Sequence, residues 1–499
     1  MIDTAALREK VLDLAIRGKL VPQDPTDEPA SVLLERIHEQ KLQMVREGKL
    51  KAKDVKDDTI IFKGDDNCYY EKFSDGTIKN IQDEIPFDLP DGWSWCRLNS
   101  ISSSIQYGLN KSAEQIGTHK LLRITDIQDG FVDWNNVPYT TIDEYDKYQL
   151  RVNDIVFART GATVGKSYII KEVPFPTVYA SYLIRIRVFD SVCADYIYAF
   201  FNSGCYWGQI TDKSIGVGQP NCNGTSLSQL FIPIPPIAEQ LRVLDKAKES
   251  LTLVRSIEKS EKTINESKTL LKSKILELAI QGKLVPQDEN DEPAGVLLER
   301  IRAERKAKLG KKYVESYIYK GDDNCYYENN DGKVAIVNEF LPFDLPDGWA
   351  YVRLENVLNY EQPTEYIVES TDYRSEYKTP VLTAGKSFII GYTNETVGIK
   401  SELPVIIFDD FTTDSKFVNF PFKVKSSAMK ILTADKLSID TKYAYYVMQT
   451  VECDHETHKR YWISEYGRTI IGLPPLNEQL KIVNQIEYLF SLLDNGKEP

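Results

Sequence analysis

A glycine-rich stretch in the first half of the chain has the residue types of a phosphate-binding loop. Residues 160–167 read Thr-Gly-Ala-Thr-Val-Gly-Lys-Ser, close to the G-x-x-x-x-G-K-[ST] pattern whose backbone amides and lysine hold nucleotide phosphates. Thr160 occupies the position of the first glycine, so the pattern is broken. We therefore expect a glycine-rich turn that joins two strands rather than a nucleotide site, with Lys166 available to a different phosphate.

A second stretch carries residue types that bind metals. Residues 453–458 read Cys-Asp-His-Glu-Thr-His, but the two histidines are three positions apart, whereas H-E-x-x-H places them four apart on one helix face. The chain holds only 4 histidines, and we expect no metal site. The 7 cysteines form no C-x-x-C pair, an odd count that favours reduced thiols in a cytoplasmic protein.

Motifs of catalysis are missing from the sequence. It contains no Asn/Asp-Pro-Pro-Tyr type methyl-transfer motif, no dinucleotide-binding fingerprint, and no evident nucleophile with a base beside it. We therefore expect a chain without a catalytic centre of its own. The sequence contains no run of about 18 apolar residues, so no membrane span is predicted. The first residues lack the pattern of a signal peptide.

The acidity of the chain is concentrated in two segments. The 499 residues carry a net charge of −13, which taken alone disfavours a nucleic-acid binder, because such proteins usually present basic surface. Residues 54–93 hold 11 acidic and 4 basic residues, and residues 313–349 hold 8 and 2. These two segments account for the whole net charge, so the acidity does not exclude DNA binding elsewhere.

The elements that would position any site are repeated. Residues 12–37 match residues 276–301 at 21 of 26 positions. Three shorter echoes follow in the same order, each present once per half: Lys63–Glu71 with Lys320–Glu328, Pro86–Trp93 with Pro342–Trp349, and Pro235–Leu241 with Pro474–Leu480. Between the last two echoes the similarity disappears. The pattern indicates one conserved frame that presents two different inserts, whereas an old duplication would have blurred the frames as well.

Frame and insert differ in their predicted secondary structure. From Ile237 to about residue 280, apolar residues recur at spacings of three, four and seven, which predicts one long helix with a coiled-coil seam that includes Leu241, Val254, Ile264 and Leu271. A packed helix in a bundle is the alternative. Runs of β-branched and aromatic residues predict strands in both inserts, at 155–159, 167–170, 182–188, 404–408 and 417–424.

This order of frames and inserts resembles the specificity (S) subunit of type I restriction-modification enzymes. The resemblance rests on the Leu-Pro-Asp-Gly-Trp entries at 89–93 and 345–349 and on the Pro-Pro-x-x-Glu-Gln-Leu helix starts. Segments 157–166, 406–413 and 425–430 are similar to segments of that family's recognition domains. The resemblance covers nearly the whole chain.

The resemblance implies an α+β fold with two β-rich mixed target recognition domains, separated by long antiparallel coiled-coil helices in a pseudo-twofold internal repeat. The implied segments are an N-terminal helical frame at 1–53, an acidic connector at 54–93, recognition domain 1 at 94–235, central spacer helices at 236–312, a second acidic connector at 313–349, recognition domain 2 at 350–473 and a C-terminal helix at 474–499. The last helix is short, so we expect the N-terminal helix to complete the scaffold and the chain ends to lie near each other.

Each domain would read half of a split site in double-stranded DNA. The chain would assemble with two methyltransferase subunits and with restriction subunits, without contacting a membrane. Adenine methylation and cleavage would belong to those partners, which would bind adenosylmethionine, ATP and Mg²⁺, so we expect no cofactor or metal in this chain. A non-catalytic scaffold for protein or sugar ligands is the alternative, and a self-sufficient nuclease or methyltransferase is disfavoured by the missing motifs.

Candidate DNA contacts follow from residue chemistry, because Arg, Lys, Asn and Gln read base edges while Lys, Arg, Ser and Thr meet phosphates. A solvated surface residue is the alternative for each. The candidates are Lys111, Arg123, Arg159, Thr160, Lys166, Gln219 and Asn221 in the first insert, and Lys386, Lys400, Lys425, Ser426 and Ser427 in the second.

Overall fold

The computed structural model describes residues 2–51, 55, 58–128, 130–143, 145–213, 222–310, 315–385, 387–453 and 460–495. The chain divides into two compact units, Met1–Lys262 and Thr263–Pro499, with the boundary inside one long helix. Each unit mixes helices with largely antiparallel sheets, so the fold is α+β, as expected.

The first unit begins and ends with long helices and has shorter helices between its strands. They are α1 Thr4–Ile16, α2 Ala30–Arg46, α3 Leu98–Ile101, α4 Tyr145–Tyr148, α5 Ala194–Phe200, α6 Gly204–Lys213, α7 Gly224–Ser228 and the shared helix α8 Ile237–Ile280. Those of the second unit are α9 Ala294–Leu309, α10 Leu354–Val357, α11 Thr441–Met448, α12 Tyr461–Ser464 and α13 Leu476–Asn495.

Fourteen described strands belong to the first unit and twelve to the second. The first set is β1 Ile60–Lys63, β2 Tyr69–Lys72, β3 Ile78–Asn80, β4 Ser94–Arg97, β5 Ser102–Tyr107, β6 His119–Leu122, β7 Ile127–Gln128, β8 Phe131–Val132, β9 Tyr139–Thr140, β10 Ile155–Ala158, β11 Ser167–Ile169, β12 Thr177–Tyr179, β13 Leu183–Val188 and β14 Phe231–Ile234. The second set is β15 Ser316–Lys320, β16 Tyr326–Asn330, β17 Lys333–Ile336, β18 Ala350–Arg353, β19 Leu358–Glu361, β20 Thr379–Leu382, β21 Ile389–Thr393, β22 Val405–Asp409, β23 Ser415–Val418, β24 Lys423–Val424, β25 Met429–Ala434 and β26 Ile470–Leu473.

The two inserts have the same strand order despite their dissimilar sequences. The first holds an antiparallel sheet β11-β10-β13-β5, and the second holds β23-β22-β25-β19. A smaller mixed sheet accompanies each, β12-β6-β9 and β24-β20-β21, with one parallel and one antiparallel pairing. In both inserts, alternate side chains of the larger sheet are buried in separate apolar clusters on its two faces.

Four of the five predicted runs each form one strand. β10, β11 and β13 fall within their runs, and β22 extends one residue beyond the run 404–408. The run 417–424 is divided instead, because β23 pairs with β22 whereas β24 pairs with β20 in the other sheet. Pro421 lies between the two pieces, and proline cannot donate a hydrogen bond to a ladder.

The long helix forms as predicted, and the predicted seam is buried in part. Val254 of that seam is buried, whereas Leu241, Ile264 and Leu271 are exposed. In the first unit, α1 runs antiparallel to α8, since the backbone amide of Ile2 donates to Glu261 and Gln23 donates to Glu239. The side of α8 that is buried is set by its contacts with a partner helix, and the spacing of apolar residues alone does not show where that partner lies.

The repeated motifs meet in one joint per unit. In the second unit the indole of Trp349 donates to Glu478 (3.1 Å) and Gln287 donates to the other oxygen of that carboxylate (3.1 Å). A Cβ on Gly282, whose φ is +66°, would lie 2.4 Å from Pro346. In the first unit Gly18 has the same φ and lies equally close to Pro90. In each unit, motifs that are far apart in the sequence therefore hold the frame helix, the connector and the insert together.

Each connector forms a small antiparallel sheet, β1-β2-β3 or β15-β16-β17. A bidentate ion pair ties it to the first strand of the insert, through Arg97 and Glu71 in the first unit and through Arg353 and Glu328 in the second. The acidic segments are therefore folded parts of each unit rather than extended linkers.

Candidate nucleic-acid interface

One edge of the larger sheet in the first unit gathers a cation and two aromatic rings. Because β5 and β10 both run antiparallel to β13, their last residues lie at the same edge as the first residue of β13. Tyr107 ends β5, Arg159 follows β10, and Tyr182 precedes β13. The backbone amide of Arg159 donates to the Tyr182 carbonyl (3.1 Å). We call these three residues the arginine edge.

The guanidinium of Arg159 lies over the ring of Tyr107, with its central carbon 4.7 Å from the ring centroid. The Tyr107 hydroxyl accepts a hydrogen bond from the amide of Gly224 (2.7 Å), which holds the ring in place. The Arg159 Nε is buried and has no hydrogen-bond partner among the described residues. Tyr107 and Tyr182 are both exposed. A positioned guanidinium beside exposed rings can donate to base edges or phosphates and can stack on a base.

The glycine-rich stretch turns between β10 and β11, which pair antiparallel, so its interpretation as a strand-joining turn is confirmed. Thr160 is half-buried and Lys166 is exposed. Gly165 has a φ of +89°, and a Cβ there would lie 2.6 Å from Trp207. The turn therefore places Thr160 beside Arg159 and leaves the Lys166 ammonium in solvent.

Two other candidates of the first insert bind neighbouring groups. The Lys111 ammonium is exposed and donates to the carbonyl of Thr141 (2.8 Å). Arg123 forms a bidentate pair with Asp126 at 3.1 and 2.6 Å, and this hydrogen bonding raises the pKa of the guanidinium. Gln219 and Asn221 lie outside the described residues.

In the second insert, the placement expected for Lys400 is corrected. The side chain is only 4% exposed, and its ammonium lies 2.7 Å from Glu361. Burial lowers the pKa of this lysine, but the bond to Glu361 outweighs that effect and raises it overall. The antiparallel bridge between Lys400 and Phe422 holds this position inside the domain rather than on a loop surface.

Three neighbouring candidates are exposed in the turn between β24 and β25, namely Lys425, Ser426 and Ser427. The Ser427 carbonyl accepts a hydrogen bond from Lys430 (2.5 Å), which fixes this turn against the sheet. Lys386 lies outside the described residues.

The second unit has a corresponding sheet edge with different chemistry. Asp410 follows β22 as Arg159 follows β10, and its amide donates to the Ala428 carbonyl that precedes β25 (3.3 Å). The carboxylate is 1% exposed; Oδ1 accepts from the amide of Trp462, while Oδ2 has no partner among the described residues. Lys430 donates to Gln362 (2.9 Å), and burial lowers the pKa of this ammonium. We call Gln362, Asp410 and Lys430 the aspartate edge.

Sequence reasoning did not select Tyr107, Tyr182, Asp410 or Lys430. A usable signal existed for Tyr182, because it directly precedes a strand that alternates apolar with basic residues. For the other three, the pairing of non-adjacent strands creates the site, and strand order is not visible in the sequence.

Metal ligands do not gather anywhere in the part of the chain that the structure describes, where no group of three or more His, Cys, Asp or Glu residues could hold an ion. His455 and His458 lie outside that part. Among the described helices, none is both long and apolar enough to cross a membrane.

Comparison with known proteins identifies relatives along the chain. The family model for the type I restriction modification DNA specificity domain matches residues 103–266. The specificity subunit of the Escherichia coli type I restriction enzyme EcoR124I/EcoR124II is 50% identical over 143 residues, 28% of this chain and 35% of that protein. The EcoAI specificity subunit of Escherichia coli is 28% identical over 413 residues, 71% of this chain and 62% of that protein.

Coverage differs widely among the relatives. The chain spans less than two thirds of the two subunits just described, but 90% of the Escherichia coli EcoEI specificity subunit, at 25% identity. A solved structure from work on complex assembly and conformational transition of the type I R-M system matches 82% of this chain and 92% of its own, with a TM-score of 0.50 and 16% identity. At that identity it supports the fold alone.

Proposed function

We propose that this chain is the DNA sequence-recognition subunit of a type I restriction-modification complex, and its similarity to type I specificity subunits supports the proposal. Each insert reads one half of a bipartite site in double-stranded DNA. The observation that carries this proposal is the repeated strand order of two inserts with unlike sequences, which presents different residues from one framework.

The two edges are the proposed readers. The arginine edge offers a guanidinium with donors suited to guanine O6 and N7 or to phosphates. Exposed Lys166, Lys425, Ser426 and Ser427 supply phosphate contacts beside them. Because the inserts are nearly neutral and phosphate neutralisation dominates affinity, this subunit alone binds DNA weakly and the assembled complex binds it tightly.

The frame helices serve as the spacer between half-sites. Support comes from α8, whose 44 residues span about 66 Å at 1.5 Å per residue, and from α1, which lies antiparallel to it. In this proposal the N-terminal helix completes a pseudo-twofold scaffold and the chain ends lie near each other. A cross-link between cysteines introduced at positions 2 and 494 tests that arrangement, because Ile2 contacts α8 at Glu261 and Asp494 contacts it at Lys272. No link between them contradicts it.

The reactions belong to partner subunits. The chain is non-catalytic by itself and directs two methyltransferase subunits and the restriction subunits to the site. Adenosylmethionine, ATP and Mg²⁺ bind to those partners and not to this chain. The missing catalytic motifs support this division of labour.

Methylation sequencing of a host with and without the gene tests the function. The expected result is a two-part adenine motif that disappears on deletion. Exchange of residues 94–235 for the corresponding insert of another specificity subunit should change one half of the motif and leave the other unchanged. An unaltered methylation pattern after deletion contradicts the proposal.

A further inference from the structure

The connector sheets have one buried face and one exposed face. In the first unit, Ile61 and Tyr69 pack with Trp95 and Phe231 of the insert's first and last strands. The alternate residues Ile60, Phe62 and Ile78 point the other way and are exposed, as is Lys72, which lies between the two isoleucines as the cross-strand partner of both. The outer face of an antiparallel sheet is ordinarily polar, so an apolar outer face calls for an explanation.

The same face recurs in the second unit. Tyr319, Val334 and Ile336 are exposed on the outer face of β15-β16-β17. The four aliphatic residues Ile60, Ile78, Val334 and Ile336 are between 53% and 56% exposed. A stacked ring pair lies at the centre of each face, Phe62 on Tyr70 with centroids 5.9 Å apart and Tyr319 on Tyr327 at 5.8 Å.

One aspartate borders each face, and we call it the acidic rim of that face. The Tyr70 hydroxyl donates to Asp66 (2.7 Å) and the Tyr327 hydroxyl donates to Asp323 (2.7 Å). These hydrogen bonds lower the pKa of both carboxyl groups, so the rim is ionised near neutral pH. Since the two connector segments hold the entire net charge of the chain, the surface complementary to each face is apolar at its centre and basic at its margin.

A groove borders each face at the same place. In the first unit it lies between α2 and β1, is lined by Leu34, His38 and Ile60, and holds about 240 Å³. In the second it lies between α9 and β15, is lined by Leu298, Arg302 and Tyr317, and holds about 400 Å³. Each apolar face thus continues into a recess that a protruding side chain can fill.

We infer that the outer face of each connector sheet is a docking surface for one methyltransferase subunit, which binds through an apolar patch with a basic rim. The inference rests on the proposed function and adds the surface that the partner uses. Two equivalent faces account for two copies of the partner, and the acidic rim accounts for the charge of the connectors. The inserts are left free to meet DNA.

Native mass spectrometry of the full chain mixed with the purified methyltransferase subunit of the same restriction system tests the inference. The variants are I60K/I78K in the first unit, V334K/I336K in the second, and all four substitutions together. Lysine at these exposed positions opposes a basic partner. Because Ile60 and Ile78 both pair with Lys72 in the first sheet, I60T/I78T, which adds no like charge there, is measured beside I60K/I78K and should lose the same copy. We expect two bound copies on the unaltered chain, one on each double variant, and at least tenfold weaker binding by the fourfold variant.

Matched controls are I116K and V397K, which place lysine at exposed apolar residues of the two inserts. These should retain two copies. If all connector variants keep the stoichiometry and affinity of the unaltered chain, the inference is overturned and the proposed function stands. If the controls lose methyltransferase binding as much as the connector variants do, the inference is likewise overturned and the proposed function stands. If the unaltered chain binds no methyltransferase, the proposed function fails with it. If the chain alone dimerises and the connector variants abolish the dimer, the occupant is a second copy, which also overturns the inference.

Discussion

The arginine edge and the aspartate edge occupy the same place in two inserts but differ in charge, since the first holds one cation and the second holds a carboxylate with an ammonium beside it. Arg159 and Asp410 both follow the second strand of a four-stranded sheet, and the amide of each donates to the residue before the neighbouring strand. One guanidinium lies over an exposed ring, whereas one carboxylate lies buried beside Lys430. The backbone therefore determines where a reader lies, and the side chain determines what it can recognise.

The largest expected effect comes from breaking the shared frame. Glu71→Ala leaves Arg97 buried without its carboxylate and should destabilise the first unit by about 3–5 kcal/mol. Glu328→Ala should cost less, because the side chains of its pair are 13% and 20% exposed against 2% and 8% in the first unit. Hydrogen exchange of β2 and β16 measures each loss. Equal losses of stability would show that the difference in burial between the two ion pairs has no effect on what each contributes.

The next effect distinguishes the readers. Arg159→Ala should weaken DNA binding by the assembled complex by about 1–3 kcal/mol and relax specificity in one half-site only. Fluorescence anisotropy with fragments altered in one half-site or the other measures this. Lys166→Ala is the matched control, since loss of a phosphate contact weakens binding to all sequences alike. Unchanged affinity and an unchanged methylation pattern would exclude Arg159 as a reader.

A smaller effect follows from removing the ring below the guanidinium. Tyr107→Leu deletes a cation–π contact worth about 0.5–1 kcal/mol at an exposed site and the acceptor for the Gly224 amide. We expect weaker binding at the half-site that Arg159 reads. In the double variant with Arg159→Ala, the two losses should not add. Additive losses would mean that the ring acts independently of the guanidinium.

The smallest effect concerns pH. Burial raises the pKa of Glu71, but hydrogen bonds from Arg97 and Thr59 outweigh it and lower the pKa overall. A lowered folded-state pKa stabilises the fold above the unfolded value of about 4.3 and loses that contribution as pH falls through the folded value. Denaturation of the first unit should therefore become easier below about pH 4.3. Glu71→Gln should be less sensitive to pH there, and equal sensitivity contradicts the role of Glu71.

Much of the architecture was predictable because repeats and periodicity are local signals. The duplicated 26-residue segment identified both frames. The spacing of apolar residues predicted a helix from Ile237 to about residue 280, which are the observed ends of α8. The predicted seam was right at Val254, which is buried, and wrong at Leu241 and Leu271, which are exposed. Spacing identifies a helix, but the partner helix selects which side of it is buried.

A residue of the candidate site could be predicted from the sequence only where its own side-chain type was enough to select it. Arg159 was selected by its residue type, and the structure places it on the arginine edge with Tyr107. Lys400 was selected in the same way, yet it is buried against Glu361, and a bridge to Phe422 holds it inside the domain. A lysine's type and spacing do not reveal whether a carboxylate lies opposite.

The sequence by itself determined the frame, its duplication, the concentration of charge in the connectors and the resemblance to type I specificity subunits, because each depends on residue order alone. Only the tertiary structure decided that unlike inserts share one strand order, that Arg159 and Asp410 correspond, and that the connectors expose apolar faces. The physical reason is that pairing between distant strands, and burial on one side of a sheet, are set by contacts between residues far apart in the chain.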